Sequence, residues 1–169
     1  PLIPGRPNSG SHDAEGVPCY RKAPILRGTC QAFLYDLRTA ALMETESTGN
    51  GARSLFSTPS PSPTNLVIEV GETPVAEMIA GIDHGLLVED VLGLGQGNPI
   101  SGAFSNTLGL AFTIEQGEIA GRVKDVSIAG NIYRDLQEIA GLSKESQWVY
   151  GRLSLPYLLL SDLNVTAKT

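Results

Sequence analysis

Four side chains in this sequence are of the kind that hold metals or move protons: His12, Cys19, Cys30 and His84. Thiolates and imidazoles make a zinc site when their spacing lets them converge on one ion. Ten residues separate the two cysteines, and the histidines stand in no common finger or helix spacing relative to them, so the set is unspecific as a ligand group. The default reading is two reduced, buried thiols in a cytoplasmic protein, with a four-residue zinc site as the alternative. His84, in Asp83-His84-Gly85, carries an imidazole that titrates near neutrality and is a candidate base or ligand. Its place between a helical pattern and a strand pattern favours a surface or capping role instead. Gly93-Leu94-Gly95-Gln96-Gly97 has the glycine density of a phosphate-binding turn. No Gly-Lys-Ser/Thr follows it and no helix pattern opens behind it, so phosphate binding is set aside. Asn131, after Gly130, reads as a turn or cap residue, with a peptide-backbone contact as the lesser reading. Trp148 suits a core or a partner interface. No residue is assigned a catalytic, cofactor-binding or metal-binding role.

The elements that must position these residues are mostly strands. Ile25 to Asp36 is a hairpin pattern broken at Arg27-Gly28, with Gln31 to Asp36 as a strand. Thr39 to Thr45 favours a short helix that ends before the turn cluster Ser47-Thr48-Gly49-Asn50-Gly51. Residues 57–64 read STPSPSPT, and prolines at alternate positions forbid helix and remove ladder donors, so this is a surface loop. Asn65 to Val70 is a short strand. Thr73-Pro74 opens a helix with Thr at the cap, and Val75, Met78, Ile79 and Ile82 form its apolar face toward a sheet. Leu86 to Val91 is a strand, and a glycine-rich loop from Gly93 to Gly102 leads into the long stretch Ala103 to Glu115. Gln116-Gly117 between alternating stretches is a tight hairpin turn. A strand from Val123 to Ile128 stops at Ala129-Gly130-Asn131, and Tyr133 to Gly141 is an amphipathic helix. Leu153 to Val165, with Pro156 and Asp162, is one bulged strand or two short ones. The class is α+β: a mostly antiparallel curved or barrel-like sheet with two or three short helices packed on it.

Composition narrows the function classes. The 169 residues suffice for one domain with a sizeable core, and the sequence is 41% hydrophobic. Residues 1–16 read as an arm or linker from an upstream domain and residues 17–169 as a single β-rich domain. The sequence starts at Pro1, so it reads as a piece of a longer polypeptide. Its apolar runs fall far short of the roughly 20 residues of a membrane-spanning helix. The net charge is −6 and the 12 Lys and Arg are scattered singly, which disfavours direct nucleic-acid binding.

A chain of motifs then carries a family resemblance. Gly97-Asn98-Pro99-Ile100-Ser101-Gly102-Ala103-Phe104-Ser105, Gly109, Ile114-Glu115-Gln116-Gly117-Glu118-Ile119, Val123 and Ser127-Ile128-Ala129-Gly130-Asn131 resemble the TldD/PmbA signature. Asp13-Ala14-Glu15-Gly16-Val17-Pro18, Gly28, Leu34-Tyr35-Asp36, Thr39-Ala40 and Ser47-Thr48-Gly49-Asn50-Gly51-Ala52-Arg53 fall in the same order, so the resemblance covers nearly the whole chain. It implies the C-terminal β-rich domain of a protein from a family also described as modulators of DNA gyrase, whose best understood form is a cytoplasmic complex of two related subunits acting as a zinc peptidase on unfolded, extended peptides. In its catalytic subunit a His-Glu-x-x-x-His helix and a C-terminal cysteine hold zinc, with one position left for water. That cysteine is expected where this chain has Lys144 to Gly151, and no cysteine follows Cys30. The resemblance therefore implies the PmbA-like (TldE-like) subunit, not catalytic alone, with no cofactor in this chain and zinc in a TldD-like partner. The expected partners are that related subunit or a second copy, and extended peptides, with no direct nucleic acid and no membrane. The alternative is a non-proteolytic binding modulator of DNA gyrase or of toxin-antitoxin proteins.

Overall fold

The structure, a computed structural model, describes residues 1–95 and 98–167. Arg27 and Gly28, both at positive φ (49° and 76°), make the two-residue turn between β1 (Ile25–Leu26) and β2 (Thr29–Cys30). Two successive left-handed residues match the twist of the strands they join. Helix α1 (Leu37–Leu42) begins at Asp36, whose carboxylate accepts the Thr39 N–H while the Thr39 hydroxyl accepts the Asp36 N–H. This reciprocal cap satisfies two donors that a helix start leaves open. Short strands β3 (Gly51–Ala52) and β4 (Ser60–Pro61) pair antiparallel, and β5 (Leu66–Val67) follows.

Helix α2 (Val75–Ala80) leads into β6 (His84–Val91), β7 (Ala103–Glu115), β8 (Glu118–Val123) and β9 (Val126–Asn131). The one-turn helix α3 (Ile132–Asp135), β10 (Ile139–Val149), β11 (Leu153–Leu160) and β12 (Asn164–Ala167) complete the described elements. β7 is central to a five-stranded antiparallel sheet: β6 and β8 flank its second half, β9 pairs with its first half, and β12 adds to β9. Register shifts at Val88/Asp90 and Thr113/Ile114 are bulges, which bend strands and curve a sheet. β10 and β11 are neighbours joined by a tight turn, and β5 adds to β11 in parallel.

The chain forms two compact units. The first comprises Pro1–Ile68 with Gln147–Leu155, and the second Glu69–Ser146 with the residues from Pro156 onward. The second has an apolar core of Leu108, Ala111 and Val126, against which Leu86, Val88, Val91, Val123 and Ile128 pack. In the first, the buried residues include small or polar ones, namely Cys19, Asp36, Ala40, Asn50 and Ser154. The class is α+β, mostly antiparallel sheet with three short helices among the described residues, and those sheets do not close into a barrel.

Several expectations from the sequence are corrected. Residues 31–36 are not a strand, because Asp36 is committed to capping α1, which starts two residues before the expected Thr39. Pro74, not Thr73, occupies the N-cap of α2, and Thr73 instead bridges to Ser143. The proline-rich stretch is not all loop, since Ser60–Pro61 pairs with Gly51–Ala52. The single strand from Val123 to Ile128 is two strands, parted by a turn in which Asp125 has φ 55°, and the second runs on through Asn131. The helix expected to reach Gly141 ends at Asp135. Asp135 folds back to accept the Asn131 N–H, and from Ile139 the chain joins a sheet through wholly buried Ser143, whose hydroxyl accepts the Tyr157 N–H. The final stretch is two strands, with Asp162 at φ 58° between them.

Candidate functional site

The family-like motifs converge on two networks, one in each unit. In the first unit, Asp13 lies in a tight loop where its Oδ1 accepts the N–H groups of Glu15 and Val17, both at 2.9 Å, and its Oδ2 accepts the Gly51 N–H at 2.8 Å. The Ala14 N–H in turn donates to the Gly51 carbonyl. Burial pushes the Asp13 carboxyl up, but the three N–H donors and nearby His12 together outweigh it and hold it below the ordinary value. Glu15 Oε2 accepts the Leu37 N–H at 2.8 Å, and a Cβ at Gly51 would displace this carboxylate from that bond.

Lys22 is the cation of this network. Its ammonium donates to the Thr48 carbonyl and to Asn50 Oδ1 (2.7 Å) and lies 4.0 Å from the Tyr20 ring centre. Burial lowers its pKa, while Cys19 and Asp13 act in the opposite direction. Asn50 is buried and donates to the Ser62 carbonyl at 3.0 Å. The carboxylates of this network accept backbone N–H groups, and the Asn50 amide joins the Lys22 ammonium and the Thr48 hydroxyl to the Ser62 carbonyl, so the network braces loops.

In the second unit, Asn98 Oδ1 accepts the N–H groups of Ile100 (2.9 Å) and Ser101 (3.3 Å). Asn131 links that turn to α3: its Nδ2 donates to the Ser101 carbonyl at 2.8 Å, and its Oδ1 accepts the Tyr133 N–H at 3.0 Å as helix cap. Asp135 accepts the Asn131 N–H and pairs with Arg134 at 3.1 Å. Gly102, at φ 71°, has no room for a Cβ because the Tyr133 ring covers it. Beside these turns lies an open apolar hollow of about 380 Å³, with Val91, Leu94, Phe104, Ile128 and Ile132 in its wall.

The structure does not gather the sequence-predicted ligands into a metal site. Cys19 is buried and its Sγ donates to the Gly49 carbonyl at 3.3 Å. Cys30, expected to be buried, is exposed on its two-stranded hairpin because neither face of that hairpin is covered. His12 is exposed beside the Ser11 hydroxyl, and His84 is exposed at the start of β6. No group of three or more His, Cys, Asp and Glu side chains that could hold a metal ion occurs among the described residues. These side chains do not fit zinc. Of the glycine-rich turn, Gln96 and Gly97 lie outside the described residues, and strand β7 follows it rather than a helix. Asn131 is the cap expected. Trp148 is half-buried in β10 and the Arg6 guanidinium stacks 3.7 Å over its ring. Within Lys144 to Gly151, the first six residues are strand and Tyr150-Gly151 is a left-handed turn (φ 51° and 70°) with Tyr150 exposed. Sequence reasoning gave no role to Asp13, Lys22 or Asn50. Asp13, followed by Gly16, and Asn50, within the Ser47–Gly51 turn cluster, carried local signals for such bracing, and Lys22 carried none.

These features define an α+β domain in which paired motifs fix loops and turns. The chain belongs to the family described as the PmbA/TldA metallopeptidase C-terminal domain, whose model matches residues 1–167. A metalloprotease of Synechocystis is 34% identical over 147 residues, covering 86% of this chain and 31% of that protein. The crystal structure of TldE from Thermococcus kodakarensis superposes with a TM-score of 0.82 at 35% identity, covering 88% of this chain and 34% of that one. A Thermotoga maritima protein described as a proposed modulator of a DNA gyrase gives a TM-score of 0.85 at 32% identity, covering 97% of this chain and 37% of that one. The chain thus spans about a third of the length of the relatives it matches. Among the described residues, no helix is long and apolar enough to cross a membrane.

Proposed function

We propose that this chain is the C-terminal domain of the non-catalytic, TldE-like subunit of a cytoplasmic zinc peptidase that trims or degrades extended peptides. The observation that carries this reading is the segment from Lys144 to Gly151. Where the family resemblance places a zinc-binding cysteine, this chain has a strand and a tight turn ending in Tyr150-Gly151, and no cysteine follows Cys30. The chain is 35% identical to a structure named TldE and 30–31% identical to relatives named TldD homologues, so the assignment to this subunit rests on the Lys144–Gly151 segment and not on those names. Zinc then belongs to a TldD-like partner bearing the His-Glu-x-x-x-His helix, and this domain contributes surface to the shared peptide cavity. The test is to purify the polypeptide carrying this domain alone and together with a TldD-type relative. Chelator-sensitive peptide cleavage is expected only with both present, and both are expected to co-purify. Chelator-sensitive cleavage by the protein alone, with near-stoichiometric zinc by elemental mass spectrometry, overturns the assignment.

A second reading is favoured by the structural likeness to a proposed modulator of a DNA gyrase. There the domain binds gyrase or a toxin-antitoxin protein without proteolysis, and the net charge of −6 directs it to protein rather than to DNA. Recovery of such a target, and never of a TldD-type relative, by a tagged chain distinguishes this reading from the first.

A further inference from the structure

We draw no further inference here: the strongest candidate, the open apolar hollow of the second unit walled by Val91, Leu94, Phe104, Ile128 and Ile132, carries none because it lies on a chain that spans about a third of the length of its relatives and nothing in the structure shows what covers it.

Discussion

At the scale of single residues, Asp13 organises the first unit. Its two oxygens serve three N–H donors, one of them from Gly51, which lies 38 positions away in sequence. Asparagine keeps one acceptor oxygen but turns an N–H₂ toward a backbone donor, which leaves a part-buried N–H group unsatisfied. Asp13→Asn is therefore expected to lower unfolding stability at neutral pH by about 1–3 kcal/mol, measured by urea titration. The pH dependence has a definite sign. The carboxyls of both Asp13 and Asp36 are held below their ordinary value of 3.8, Asp36 chiefly by the Thr39 hydroxyl and N–H. A depressed carboxylate pKa gives stability that is complete above the unfolded value and is lost as pH falls through the folded one. Wild-type stability should thus drop as pH is lowered from 3.8, and Asp13→Asn should drop less steeply. An unchanged acid slope in the variant would assign that dependence to other carboxylates.

At the scale of elements, turns decide which strands pair. Gln116 and Gly117 have φ of 50° and 80°, and a Cβ at Gly117 would stand 2.7 Å from the Ala80 carbonyl at the end of α2. Gly117→Ala thus meets both left-handed strain and a backbone clash, for an expected loss of about 2 kcal/mol or more. Gly121, one strand further on with nothing within 4 Å of its would-be Cβ, is the control. Gly121→Ala should stay within about 0.5 kcal/mol of wild type in the same thermal unfolding measurement. Arg27-Gly28 and Gln116-Gly117 were legible from the sequence because two left-handed positions in a row admit few residue types. The strand Ile139–Val149 was not legible. Ser143 and Lys144-Glu145-Ser146-Gln147 break apolar alternation, and Ser143 is buried as a hydrogen-bonding group rather than as an apolar one. Of the candidate site, the Asp13 loop and the Asn131 cap are local patterns a reader can see. The union of Asp13 with Gly51, or of Lys22 with Asn50, depends on tertiary folding that no spacing rule encodes.

At the scale of the whole molecule, the two units are held by different physics. The second is built on β7, whose residues from Ala111 to Glu115 pair on both sides, with β6 and β8, over an apolar core containing Ala111, Leu108 and Val126. The first has strands β1 to β5 of two residues each and depends on side-chain to backbone hydrogen bonds such as those of Asp13 with Gly51, Lys22 with Thr48 and Asn50 with Ser62. Hydrogen bonds exchanged with water contribute about 1 kcal/mol each, whereas burying a branched apolar side chain contributes roughly 1.5–3 kcal/mol. Local opening should therefore be easier in the first unit. Native-state hydrogen exchange is expected to show the slowest amides at Ala111 to Ile114, which open only with the unit as a whole, and faster exchange at Gly51, Ser62 and Cys19. Leu108→Ala removes core volume and should accelerate the β7 amides in proportion to a loss of about 2–4 kcal/mol, while Asp13→Asn should accelerate those of the first unit. If the first-unit amides exchange as slowly as those of β7, then polar bracing alone confers the rigidity of an apolar core.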